Sequence, residues 1–95
     1  MSRTRYLVLD VLKPYEPSVI DLANDISDLD GVAGTNVAVV EIDREVESVK
    51  ITIRGDDIEF DAVRAVIERN GATIHSVDKV ACGEEIVGEA NTPQG

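Results

Sequence analysis

The feature that most constrains the fold of this chain is a pattern that occurs twice along it. Each copy is a short apolar run, an amphipathic segment, a glycine and a second apolar run. The first copy comprises residues 6–12, 18–29, Gly31 and 37–42, and the second comprises residues 49–53, 59–70, Gly71 and 72–82. Two strand–helix–strand units in tandem predict a two-layer α+β domain.

The first unit shows how local sequence sets the element boundaries. Residues 6–12 are apolar at nearly every position, which is typical of a central strand covered on both faces. Lys13 to Pro17 should end that strand, because a proline has no N–H for the sheet. Ser18 is a candidate N-cap, and apolar residues follow it at helical spacing. They are Val19, Leu22, Ala23, Ile26 and Leu29.

The two units share one sheet. In the third strand Val49, Ile51 and Ile53 alternate with polar residues, and a turn near Arg44 joins it to the second strand, which predicts an antiparallel hairpin. Right-handed crossovers then give a ferredoxin-like βαββαβ α+β sandwich with strand order 4-1-3-2 and both helices on one face. We expect residues 1–87 to form this single domain and residues 88–95 a flexible C-terminal tail.

Charge and cysteine content limit the partners. The chain has 19 acidic and 9 basic residues and a formal net charge of −10, which disfavours nucleic acid and anionic membranes. Cys82 is the single cysteine, so we expect no internal disulfide and a reducing, cytoplasmic location. The apolar run at residues 6–12 is too short for a signal peptide or a membrane span.

The face of the sheet opposite the helices is expected to lack a covering layer. It should carry Tyr6, Val8 and Leu12 beside the polar residues of the third strand. A partly apolar open face between two edge strands favours self-association into a homo-oligomer.

Because a ferredoxin-like fold supports many activities, specific residues have to indicate the function. The loop from Lys13 to Pro17 lacks the thiols of a metal chaperone and the glycine and arginine of a phosphate loop, and the third strand lacks the aromatic residues that stack on RNA bases. No nucleophile has a visible activating base, so we expect no enzymatic activity. A small-molecule-binding regulatory module, similar to amino-acid-sensing domains, stays open, with Lys13 and Tyr15 as binding residues.

Two groups of side chains are candidate metal ligands. Glu41 and Asp43, with Glu47 across the hairpin, are predicted to converge on a divalent cation, Ca²⁺ or Mg²⁺, since such cations prefer oxygen ligands. The alternative is a solvated hairpin tip. The second group is Asp10, His75 and Asp78, on neighbouring strands. A purely structural role is the alternative there. His75 and Asp78 have opposite strand parity unless a bulge intervenes, which weakens any direct pairing between them.

Four stretches together are similar to a small archaeal family known as domain of unknown function 211. They are Leu9-Asp-Val-Leu-Lys-Pro-Tyr-Glu-Pro17, Val40-Glu-Ile-Asp43, Ile51-Thr-Ile-Arg-Gly55 and Ile74-His-Ser-Val-Asp-Lys-Val80. The resemblance implies a ferredoxin-like fold and subunits that assemble into rings, and it implies no established activity. The expected protein is therefore a self-assembling, non-enzymatic, cytoplasmic homo-oligomer that binds a divalent cation as a secondary property.

Overall fold

The computed structural model describes residues 2–89 and contains six elements in the order β-α-β-β-α-β. They are β1 (Thr4–Pro14), α1 (Val19–Ser27), β2 (Val32–Ile42), β3 (Val46–Gly55), α2 (Phe60–Arg69) and β4 (Thr73–Cys82). The strands form one antiparallel sheet in the order β2-β3-β1-β4, and both helices cover the same face. The predicted ferredoxin-like α+β fold and strand order are confirmed.

The N-cap serine and the glycines identified in the sequence lie at the ends of the helices. The Ser18 hydroxyl accepts a hydrogen bond from the Asp21 backbone N–H at 3.2 Å, and this caps α1 as predicted. Gly31 follows α1 with φ +86°, and Gly71 follows α2 with φ +77°. Both therefore adopt the left-handed conformation that glycine tolerates best after a helix.

The core lies between the helices and one face of the sheet. Alternate residues of β1 and β3 are buried against α1 and α2, among them Leu9, Val11 and Ile51. The expectation that β1 is buried on both faces is wrong. Its even-numbered residues, such as Val8 and Asp10, lie on the open face and stay partly exposed, because no second layer covers that side of the sheet.

Three register shifts interrupt the pairing of β1 with β4. His75 and Asp78 are skipped on β4, and Arg5 is skipped on β1. A shift in the β2–β3 pairing skips Val40 in the same way. Each is a β-bulge, which leaves one residue without a partner in the ladder and redirects its side chain.

The end of one strand differs from the sequence prediction. β1 continues to Pro14, so Lys13 belongs to the strand and not to the loop. Residues 84–87 follow β4 and are not in a strand. Most of the predicted tail, residues 90–95, lies outside the described residues. Between residues 2 and 89 the structure has no helix that is long and apolar enough to cross a membrane.

Candidate functional site

The tip of the β2–β3 hairpin carries two of the predicted cation ligands. The Asp43 backbone N–H donates to the Val46 carbonyl at 2.9 Å, which closes the turn. The Arg44 N–H donates to Asp43 Oδ1 at 2.8 Å. Glu41 and Asp43 are both exposed, so their remaining carboxylate oxygens face solvent at the tip.

Glu47 does not join these two carboxylates. Glu41 pairs with Ser48 in the ladder, whereas Ile42 pairs with Glu47. Because side chains alternate between the two faces of a sheet, Glu41 and Glu47 lie on opposite faces. Within one copy of the chain, Glu47 therefore does not converge with Glu41 and Asp43 as predicted, because the register places Glu47 on the helix side of the sheet.

Glu47 has a different partner, a lysine at the end of β1. The Lys13 side chain is fully buried, and its Nζ donates to Glu47 Oε1 at 3.2 Å, to the Pro14 carbonyl at 2.7 Å and to the Tyr15 carbonyl at 3.3 Å. A lysine with this exposure and these partners cannot reach a ligand in solvent. A regulatory site at Lys13 and Tyr15 would thus have no accessible lysine.

The second candidate group is split by its bulges. In the ladder Asp10 lies opposite Lys50 on β3 and Ser76 on β4. Asp78 accepts a hydrogen bond from the Ser76 hydroxyl at 2.7 Å, and its other carboxylate oxygen lies 3.8 Å from the Lys50 ammonium. Asp10 and Asp78 thus share a neighbourhood that already contains a cation, the Lys50 side chain.

Within residues 2–89, no hydrogen bond or ion pair joins His75 to Asp10, Asp78 or Lys50, and the His75 side chain is exposed. Over the same residues, no group of three or more His, Cys, Asp or Glu side chains is placed to hold a metal ion. A cation site built on either predicted group therefore needs further ligands, from water or from a second copy of the chain. The metal assignment stays a prediction.

A basic cleft that the sequence pattern did not indicate lies at the opposite end of β1 from Lys13. Its volume is about 470 Å³, and its lining includes Arg5, Tyr6, Arg54, Asp56 and Ile86. Tyr6 and Arg54 are ladder partners, and the Arg54 guanidinium lies 5.2 Å from the centre of the Tyr6 ring. Knowledge of the β1–β3 register would have paired them, but the sequence alone did not supply that register.

The two outer strands of the sheet are also candidate binding surfaces. On β2, the exposed fractions of Val40 and Ile42 are 64% and 70%. On β4, Val77 and Val80 are about half exposed and line a small apolar cleft beside Phe60. Apolar side chains thus accompany the free backbone groups at both edges of the sheet.

Comparisons of the whole chain with known proteins identify its family. The model of the DUF211 family, described as uncharacterized ArCR, matches residues 5–95. An uncharacterized protein of Methanocaldococcus jannaschii is 46% identical over 94 residues, which span 99% of this chain and 97% of the relative. The chain belongs to the DUF211 family, as its sequence motifs indicated, and the family brings no known activity with it.

Proposed function

We propose that this protein is a non-enzymatic, self-assembling subunit that forms a closed homo-oligomeric ring in the cytoplasm. The observation that carries the proposal is the outer edge of β2. This strand has 11 residues and ends in the exposed apolar side chains of Val39, Val40 and Ile42. A long edge with free backbone donors and acceptors is a template for pairing with another strand.

The edge of β2 also lacks the residues that usually prevent such pairing. Between Val32 and Ile42 there is no lysine, arginine or proline, and Glu41 is the single charged residue. Edge strands that remain unpaired are commonly protected by lysine or proline. Their absence supports a role for this edge as an interface.

The directions of the strands are compatible with a head-to-tail ring. Along the order β2-β3-β1-β4 each strand is antiparallel to the next, so β2 and β4 run in opposite directions. When β4 of one copy lies beside β2 of the next, the antiparallel sheet continues across the interface. Such a head-to-tail interface uses two different surfaces and closes into a ring when the rotation between copies permits it.

A divalent cation, Ca²⁺ or Mg²⁺, is the proposed secondary ligand. Glu41 and Asp43 lie beside the proposed β2 interface and are exposed at the hairpin tip. Two carboxylates are too few for Ca²⁺, which takes six to eight oxygen ligands. In the ring, a neighbouring copy and water would complete the coordination, so assembly and cation binding are expected to support each other.

Light scattering after size exclusion, with and without chelator, tests both parts of this proposal. The expected result is a single species of several subunits that loses mass or stability when the cation is removed. A single species of 10.3 kDa at micromolar concentration would overturn the ring, and a dimer would overturn head-to-tail pairing.

A pair of substitutions locates the interface. Val40→Lys places a charge on the β2 edge and should dissociate the assembly. Ile20→Lys is the matched control, because Ile20 is also apolar and 69% exposed but lies on helix α1 and not on a strand. If the two variants assemble equally well, the interface is not at β2.

A further inference from the structure

The basic cleft at the start of β1 is unusual in a protein with a net charge of −10. Arg5 and Arg54 both line it, and the ammonium of Lys79 lies 5.5 Å from the Tyr6 ring on the same side of the sheet. Three of the nine basic residues of the chain are thus held around one tyrosine. Lys79 is paired with Glu89 at 3.3 Å, so the positive charge that favours an anion here comes mainly from Arg5 and Arg54.

Arg5 is fixed in place by the fold. The β-bulge at Arg5 redirects its side chain, and the guanidinium donates to the carbonyls of Gly55 at 3.2 Å and of Gly83 and Glu84 at 3.1 Å each. These carbonyls are neutral, so they orient the guanidinium without cancelling its charge. A preorganised arginine loses little freedom when an anion binds.

Arg54 keeps its full charge available. Among the described residues no carboxylate lies within 4.0 Å of its guanidinium, which lies over the Tyr6 ring. Arg64 offers a comparison within the same chain. It lies 5.6 Å from the Phe60 ring but is neutralised by Asp61 at 3.1 Å. Of these two stacked arginines, the one in the cleft is the one that lacks an acidic neighbour.

Asp56 is the acidic residue of the cleft, and it does not cancel this charge. It is largely exposed and lies 3.9 Å from Arg3 and 4.0 Å from Arg5, at the outer limit of an ion pair. Pairs of this kind are weak in water. The Asp56 carboxylate would oppose an incoming anion, so its removal should strengthen anion binding.

We propose that this cleft binds a small molecule carrying an oxyanion, either a phosphate or a carboxylate group. Arg5 and Arg54 hold the oxyanion, and the Tyr6 ring and Ile86 contact the rest of the molecule. The volume of about 470 Å³ is within the range of small-molecule sites. The site uses neither the exposed valines and isoleucine at the end of β2 nor the hairpin carboxylates, although Ala33 at the start of β2 lines it.

The chain contains a reporter for this test. It has two tyrosines and no tryptophan, so in a Tyr15→Phe background Tyr6 is the only source of tyrosine fluorescence. We would titrate this protein with inorganic phosphate and, separately, with succinate, at low ionic strength. The expected result is a saturable change in fluorescence with at least one anion, weakened by added salt. The anion that binds more tightly shows whether the site prefers a phosphate or a carboxylate group.

Three variants in that background decide the site. Arg54→Gln should weaken binding by about tenfold or more, because it removes a charged hydrogen-bond donor. Asp56→Asn should strengthen binding several-fold, and Arg64→Gln should leave it unchanged. No saturable change with either anion overturns the proposal, as does an equal effect of Arg54→Gln and Arg64→Gln. Dissociation of the assembly by Arg54→Gln, with no anion bound by the parent, would identify the cleft as a subunit contact and overturn it too.

Discussion

The ammonium group of Lys13 lies 3.2 Å from Oε1 of Glu47, inside a protein whose formal net charge is −10. Lys13 has no solvent exposure, and the Glu47 side chain is 13% exposed. The pair joins the end of β1 to the beginning of β3, and two further bonds from Lys13 tie the loop after β1 to the same point. No buried side-chain polar atom in residues 2–89 is left without a partner.

This pair predicts an asymmetric response to mutation. Glu47→Ala leaves the Lys13 charge buried and uncompensated, which typically costs about 3–5 kcal/mol. The double variant Lys13→Met, Glu47→Leu should recover most of that loss, because apolar residues of similar volume often replace a buried ion pair at little cost. Urea denaturation at one fixed protein concentration measures both free energies of unfolding.

The control for this prediction is Glu45→Ala on the same hairpin. Glu45 is exposed, so its removal should change the free energy of unfolding by no more than about 0.5 kcal/mol. Equal stabilities of Glu45→Ala and Glu47→Ala would show that the Lys13–Glu47 pair contributes nothing to folding.

A second prediction concerns the turn after α1. Gly31 has φ +86°, and a Cβ atom built there overlaps the Asp57 carbonyl oxygen. The Gly31 carbonyl also accepts the Asp56 N–H at 3.0 Å. The alanine of Gly31→Ala therefore has to displace the Asp57 carbonyl and also adopt an unfavourable backbone conformation. We expect the free energy of unfolding to fall by about 2 kcal/mol or more.

Gly34 is the matched control for Gly31. It lies on β2, its φ is not positive, and a Cβ atom there meets nothing within 4 Å. Gly34→Ala should be neutral or slightly stabilising, since alanine reduces the entropy of the unfolded chain. Thermal melts compare the stabilities of the two variants. A Gly31→Ala variant as stable as Gly34→Ala would disprove the packing argument.

The sequence predicted the elements and their order because those depend on local signals. The Ser18 cap, the alternation of Val49, Ile51 and Ile53 and the glycines after both helices each act within a few residues. The right-handed crossover rule then leaves few ways to arrange four strands. This part of the structure needed no information on which residues pair across the sheet.

The candidate sites depended on the register between strands, which the sequence does not supply. One residue of slip moves a side chain to the other face of a sheet. The register therefore decided that Glu47 meets Lys13 and not Glu41, and that Tyr6 meets Arg54. Parity did contain a usable signal, since Lys13 continues the inward series of Leu7, Leu9 and Val11.

A third prediction tests the Asp10, His75 and Asp78 group as a metal site. Asp78 is already paired with the Lys50 ammonium and with Ser76. The double variant His75→Ala, Asp78→Asn should therefore leave the heat of Ca²⁺ binding unchanged. It should lower the free energy of unfolding by less than about 1 kcal/mol, because the ion pair it removes is exposed. Loss of the calcium heat in this variant would instead assign the cation to these residues.

The last prediction tests the hairpin as the cation site. The double variant Glu41→Gln, Asp43→Asn removes two charged oxygen ligands, so Ca²⁺ binding followed by calorimetry should weaken by about tenfold or more. Glu84→Gln, Glu85→Gln makes the same change in net charge at two exposed acids beyond β4 and should bind like the parent. An equal loss in both variants would show that net charge alone attracts the ion. No calcium or magnesium heat in the parent would remove the cation from the proposed function and leave the ring to be judged by light scattering.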